Sequence, residues 1–350
     1  PIGVVAVITS WCFPLAVPVG LVAAALAAGN TAVLKPSEET PLLAARVVEL
    51  LLQAGVPPGV LSLVHGTGEE VGAPLVRHPE VGLVAFSGSA DVAREVGIAC
   101  AAEQKRALID AQGREALLVL EDADPELVVT AVTESFGPRA RGRPVLHVVT
   151  QGRAGREVQA RLVEAVAALR PGDGLQPETT VPPLINDRHL KRLQAYVRVA
   201  VKEGAKLLCG GEVCREGDCR RGFFYTPTVL ADLRADMRVA QDQVAGPLAA
   251  LLPTDRLDDA VAATNQVATG SAVTICGRDV GRALHAAARL RADTLRINVV
   301  SGDLGDWQQG LGADRPRLLD RFSRWRALAL DAPRPAAPEG GRREPERPRA

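Results

Sequence analysis

GVVAVITSWCFPLAVPVGLVAAALAAGNTAVLKP, residues 3–36, sets two short β-branched runs, GVVAVI and TAVLKP, on either side of a longer Ala/Leu-rich stretch of helical composition. The alternation recurs along the chain. TAVLKP leads into PLLAARVVELLLQAG, VLSLVHG into EEVGAPLVRHP, and VGLVAFSGS into ADVAREVGIACAAE. Four such strand-helix units in the first hundred residues predict a parallel sheet with helices on its faces, since alternating βα units pair their strands through crossovers.

A second series begins near LLVLED and runs through ARLVEAVAAL, HLKRLQAYVRVAVKEG, LDDAVAATN and GRALHAAARLRA, which predicts a second α/β lobe. From Ala332 the chain reads APRPAAPEGGRREPERPRA, with no period and almost nothing to bury, and a solvated disordered tail is expected there. The 350 residues are 47% hydrophobic, enough for two ordinary domains with full cores. Lys+Arg equals Asp+Glu at 41 each, so charge gives no case for nucleic acid or an anionic membrane as partner. No apolar run reaches the roughly 18 residues of a membrane helix. The chain opens on Pro1 and its one methionine is Met237, so it is expected to be part of a longer polypeptide.

Six cysteines (Cys12, Cys100, Cys209, Cys214, Cys219, Cys276) are too few for a disulfide scaffold at this length, and a reduced, cytoplasmic setting is expected. Cys209, Cys214 and Cys219 sit evenly in CGGEVCREGDCRRG without a CxxC pair or a nearby histidine, so they read as a loop rather than a zinc site. His65, His78, His147, His189 and His285 are scattered, with none at metal-ligand spacing; core or loop positions are expected for all, and no metal.

Four stretches follow one another in a telling order: PIGVVAVITSWCFPLA, ALAAGNTAVLKPSEETPLLA, AGVPPGVLSLVHGTGEEVGAPLVRHPEV and VAFSGSADVAREV. LEDADPE, EGAKLLCGG, FFYTPTVLADLRADM and VGRALHAAARLRADTLRIN continue it downstream. In that order and spacing the chain resembles the aldehyde dehydrogenase superfamily from Pro1 to about Trp325. The resemblance implies an α/β fold with a Rossmann-like parallel-sheet cofactor lobe, an α/β catalytic lobe and a short oligomerisation strand. On this chain the remaining part of the cofactor lobe falls on residues 1–112, the catalytic lobe on 113–305 and the oligomerisation strand region on 306–331, with the tail at 332–350. It also implies an upstream segment holding the start of the cofactor domain.

The superfamily oxidises aldehydes with NAD or NADP. A cysteine thiolate adds to the carbonyl, hydride passes to nicotinamide, and a glutamate-activated water releases the acid. By resemblance, Lys35 and Glu38 match the pair that meets the adenosine ribose. Phe86, Ser87, Gly88 and Ser89 match the strand-to-helix turn that faces the diphosphate, and Gly68 and Gly72 match the neighbouring glycine turn. Ala93 replaces a glycine in the phosphate helix, where a methyl is expected to crowd the approach. At the nicotinamide end, Gln243 and Ala245 stand where the family has a glutamate and a phenylalanine.

The catalytic positions depart further. Cys12 takes the place of the family's oxyanion-binding asparagine, and a thiol is a weak donor. Asp110 takes the place of the glutamate base and is shorter by one carbon. In SFGPRARGRPVLHVV, residues 135–149, the nucleophile falls between Ala140 and Pro144, and no cysteine lies between Cys100 and Cys209. After Asn298 the family's Gly-Gly-x-x-x-Ser-Gly segment gives way to VVSGDLGDWQQGLGADRPRLLD, while LLDRFSRWRAL resembles the family's last strand.

The resemblance and its departures predict a degenerate member that does not oxidise aldehydes, with NAD or NADP held weakly or no longer held, and a role in assembly or regulation. Its partner is expected to be a second copy or another aldehyde dehydrogenase-like module; vertebrate family-16 aldehyde dehydrogenases, two-module proteins that can lack the catalytic cysteine, are a loose precedent. The alternative is a residual or altered NAD(P)-dependent oxidoreductase acting on aldehydes, with Cys12 as a relocated nucleophile and Asp110 as its base. A third reading is an incomplete gene product with an open-edged, aggregation-prone lobe.

Overall fold

Strand β1 (Val4–Thr9) is followed by helix α1 (Ala16–Ala27), then β2 (Thr31–Lys35), α2 (Pro41–Gln53) and β3 (Leu61–Leu63). After them come α3 (Ala73–Arg77), β4 (Val81–Ser89), α4 (Ala90–Ala102) and β5 (Arg106–Gln112). The structure, a computed structural model, describes residues 1–137, 146–268, 272–299 and 318–324. Every pair in the first sheet is parallel, and the strand order is β3-β2-β1-β4-β5.

Both faces of this sheet are covered, which is why its strands read as unbroken apolar runs. On one face Val5, Val7, Leu34 and Leu83 pack with Leu21 and Val22 of α1 and Ala44 and Val48 of α2. On the other, Ala6, Ile8, Val84 and Phe86 meet Val76 of α3 and Ala93, Val96 and Cys100 of α4. The Ala93 methyl is part of this packing, 4% exposed.

The second sheet is built from β6 (Ala116–Val119), β7 (Leu146–Gln151), β8 (Lys206–Cys209), β9 (Thr228–Ala231), β10 (Leu248–Thr254), β11 (Ala272–Cys276) and β12 (Thr294–Ile297). Its order is β12-β11-β6-β7-β10-β9-β8, parallel throughout except for β8 against β9. Helices α5 (Pro125–Phe136), α6 (Ala154–Ala167), α7 (Asp187–Lys202), α8 (Arg238–Gln241), α9 (Leu257–Val267) and α10 (Val280–Ala287) cover it. No described helix is long and apolar enough to cross a membrane. The chain is thus α/β, with a Rossmann-like parallel sheet followed by a mixed one.

Of the expected last strand, the described part forms one helical turn, α11 (Leu318–Arg321), instead. Phe322, fully buried, fills the first core beside α1, and a helical turn delivers it there. Ala140 to Pro144, where the nucleophile is expected to fall, most of the segment after Asn298 and the tail lie outside the described residues.

Asn30 holds this arrangement at its base. Its Oδ1 accepts from the backbone N–H groups of Ile2 (2.6 Å) and Gly3 (3.0 Å), and its Nδ2 donates to the carbonyls of Ala25 (3.0 Å) and Phe322 (2.9 Å). The side chain is 3% exposed and its donors and acceptor are all engaged. Asn30→Ala strips partners from four backbone groups and is expected to lower the urea-unfolding free energy by about 2–4 kcal/mol; a loss below about 0.5 kcal/mol, the surface-substitution range, would refute this clamp.

Candidate functional site

In an open parallel sheet the loops that follow the strands all emerge at the carboxyl edge, and the crevice opens where the strand order reverses. Here β1 is that point: the chain leaves it towards β2 on one side, and β4 lies on the other. Register brings the strand ends level, with Ile8 opposite Lys35, Thr9 opposite Ser87, and Ser87 opposite Asp110.

Lys35, the last residue of β2, is 3% exposed, and its Nζ pairs with Glu38 Oε2 at 3.3 Å. The glutamate is half exposed, so the buried ammonium is presented to the edge through a partner that can still bond elsewhere. At the end of β4, Gly88 has no room for a side chain, because a Cβ there would lie 2.6 Å from the ring of Phe86. That ring is tucked into the core at 5% exposure, which brings the backbone close to the edge. Ser89 is the N-cap of the 13-residue α4, yet its side chain makes no capping hydrogen bond. The first-turn N–H groups of α4 are thus left for an anion.

Gly68 and Gly72 bound a wide turn at the carboxyl end of β3, where Thr67 Oγ1 accepts from Glu70 N at 3.2 Å. Neither glycine is sterically required: a Cβ on Gly68 meets nothing within 4 Å, and one on Gly72 meets only Thr67 O at 4.0 Å. The glycine the turn depends on is Gly66, at φ +150°, where a Cβ would sit 2.3 Å from Val71 Cγ2.

Asp110 is taken up by its neighbour strand. Ser87 Oγ donates to Asp110 Oδ2 at 2.9 Å. Burial pushes the carboxyl up to about 6, against the lowering effect of the Ser87 hydrogen bond. Cys12 lies beyond the end of β1, is buried at 6% exposure, and precedes Phe13 at φ +52°. Strand β4 separates β1 from β5 by two strand spacings, about 10 Å. The structure therefore pairs Asp110 with Ser87 and leaves it across β4 from β1, beyond whose end Cys12 lies.

The hydroxyl of Thr9 was not singled out by the sequence. It is buried at the end of β1 and has no hydrogen-bond partner among the described residues. An orphaned buried hydroxyl at the reversal point, a buried lysine beside a carboxylate and an uncapped helix start together fit a dinucleotide at this edge.

Only three residues, Gly113 to Glu115, separate β5 from β6. The carboxyl edge of the first sheet thus faces the amino edge of the second, the edge at which the chain enters β7 and β10. Two contacts bridge the crevice: the ring of Trp11 meets that of His189 edge-on at 5.3 Å and 83°, and Asn186 Nδ2 donates to Glu39 Oε1 at 2.6 Å. Burial, then the charges of Arg188 and Arg192, hold the His189 imidazole below its usual pKa. Gln243 lies on the second lobe between α8 and β10, next to Asp242, which accepts from Tyr196 OH and Arg238. No described side chain holds the Gln243 amide. His147, at the start of β7, is fully buried between the carbonyls of Glu115 and Val239, and burial takes its pKa down to about 4.

A carboxyl raised to about 6 stabilises the folded state below its unfolded pKa near 3.9, and that contribution is lost as pH rises through about 6. Asp110→Asn removes the ionisation while keeping an acceptor for Ser87. The variant is expected to exceed the parent in unfolding free energy by about 1–2 kcal/mol at pH 8, after allowance for partial exposure, and to match it near pH 4. Parallel stability curves across this range would contradict the burial of Asp110.

Residues 1–309 match the model of the aldehyde dehydrogenase family. The chain is 36% identical over 303 residues to phenylacetaldehyde dehydrogenase of Pseudomonas fluorescens, covering 85% of this chain and 59% of that protein. Its structure is similar to that of betaine aldehyde dehydrogenase from Staphylococcus aureus in complex with NAD+, with a TM-score of 0.82 and 30% identity over 87% of this chain and 61% of that one. The Mycobacterium tuberculosis aldehyde dehydrogenase complexed with NAD+ gives a TM-score of 0.82 and 34% identity, over 87% of this chain and 63% of that one. The chain thus spans about three fifths of the length of the relatives it matches.

Proposed function

Because the chain belongs to the aldehyde dehydrogenase family, we propose that it keeps a dinucleotide seat and does not oxidise aldehydes. The observation that carries this is the absence of any thiol between Cys100 and Cys209, the stretch into which the family's nucleophile falls. Lys35 and Glu38 would hold the adenosine ribose, and Ser87 to Ser89 with the start of α4 the diphosphate. Thr9 offers a further hydroxyl. NAD or NADP, when bound, supplies a hydride acceptor. The residues around its nicotinamide end are poorly suited to use it: Gln243 is uncharged, Ala245 gives no ring wall, and Cys12 donates weakly. Residues 1–112 serve as the dinucleotide lobe and 113–305 as the second lobe, and the function is assembly or regulation with a second copy or a related module, in a reduced cytoplasmic setting.

A second reading, a residual NAD(P)-dependent oxidoreductase, draws on Cys12 and Asp110 flanking the same edge. It requires a nucleophile at a position 6% exposed and a base already bonded to Ser87.

A thermal-shift titration with NAD and NADP beside an NADH-formation assay on a panel of aldehydes separates the two. Ligand at 100 times its Kd is expected to stabilise the chain by about 2.7 kcal/mol, with the shift lost in Lys35→Ala and no NADH formed. NADH formation that disappears in Cys12→Ala would replace this proposal with the second reading, and the absence of any shift would remove the dinucleotide seat.

A further inference from the structure

The loop CGGEVCREGDCRRG carries a thiol pair that neither the crevice nor a metal accounts for. Residues 212–214 lie antiparallel to 224–226: Val213 bridges Tyr225, and Cys214 N donates to Phe224 O at 3.0 Å. The chain then turns back through a single helical turn, Gly217–Arg221, that holds Cys219. Arg220 Nε donates to Arg215 O at 3.2 Å, which ties together the residues that follow the two cysteines. Cys219 N donates to Glu216 O at 3.0 Å within that turn, and this closure brings the two thiols near enough for Cys214 to act on the Cys219 thiol. Cys219 is buried and its Sγ also reaches Pro171 O at 3.5 Å, whereas Cys214 is half-buried and accessible from the loop surface. Cys209, the third member, is held apart in β8, opposite Val229. No group of three or more described His, Cys, Asp or Glu residues is arranged to hold a metal ion, so the pair is not part of such a cluster.

We infer that Cys214 and Cys219 form a redox site, closing to a reversible intraloop disulfide when the chain meets hydrogen peroxide. The Cys214 sulfur attacks the peroxide; the O–O bond breaks, water leaves with the thiol proton, and a sulfenic acid forms. The Cys219 sulfur then attacks that sulfur, the S–O bond breaks, and hydroxide departs as water with the Cys219 proton. Two thiols lose two electrons in all, and one peroxide takes them. A dithiol reverses the bond by exchange. Cys214, the more exposed of the two, is the first thiol oxidised and the buried Cys219 the resolving one; burial first, then Cys214 and the acidic Asp218 and Glu216, pushes the Cys219 thiol up to about 12.

Trypsin reads the bond directly, because cleavage after Lys206, Arg215 and Arg220 places the two thiols on separate peptides, Leu207–Arg215 and Glu216–Arg220. The reduced chain is treated with a small excess of hydrogen peroxide, alkylated and digested without reductant. The expected product is these two peptides joined, lighter by two hydrogens than their sum, present in Cys209→Ser, absent in Cys214→Ser and split by dithiothreitol. Separately alkylated or sulfonated peptides in the parent chain, or a joined pair that survives Cys214→Ser, would overturn the site.

Discussion

Strand β1 is hydrogen-bonded in parallel to β2 on one side and β4 on the other, and the rest of the first lobe follows from that pairing. Parallel neighbours require crossovers. The crossovers place α1 and α2 on one face and α3 and α4 on the other, so both faces of β1 are sealed by apolar side chains. The loops after the strands then all fall on one edge. Polar groups excluded from the faces gather there: Thr9, Lys35, Ser87 and Asp110 end or nearly end four adjacent strands.

That edge is polar but partly buried, and the partial burial shapes its chemistry. Lys35 is satisfied by Glu38, and Asp110 by Ser87 against a desolvation that favours its neutral form. Among the described residues, the Thr9 hydroxyl has no hydrogen-bond partner. Burying a hydroxyl unpaired costs about 1–3 kcal/mol. The three-residue step from β5 to β6 turns the amino edge of the second sheet toward this surface, which is how a lobe of different topology comes to close the same crevice.

The alternation of strand and helix is legible in the sequence because strands covered on both faces leave uninterrupted β-branched runs. Strand order is not, and with it goes the significance of Thr9, which looks like the ordinary end of an apolar run until β4 is seen beside it. Spacing picks out Gly68 and Gly72, but which glycine carries positive φ is a property of the folded turn, and Gly66 carries it. LLDRF is too short to distinguish strand from helix by period; the place reserved for Phe322 beneath α1 decides it. Trp11 and His189 are far apart in the chain and meet only because the two edges face each other, so no local pattern announces the contact.

The account stands on the first sheet's carboxyl edge as a dinucleotide seat. Hydrogen-deuterium exchange with and without NAD tests that placement most directly. Protection confined to the backbone around Thr9 to Phe13, Lys35 to Glu39 and Phe86 to Val92 is the predicted result. Protection at the carboxyl edge of the second sheet, or binding that leaves all three segments unprotected, would contradict it.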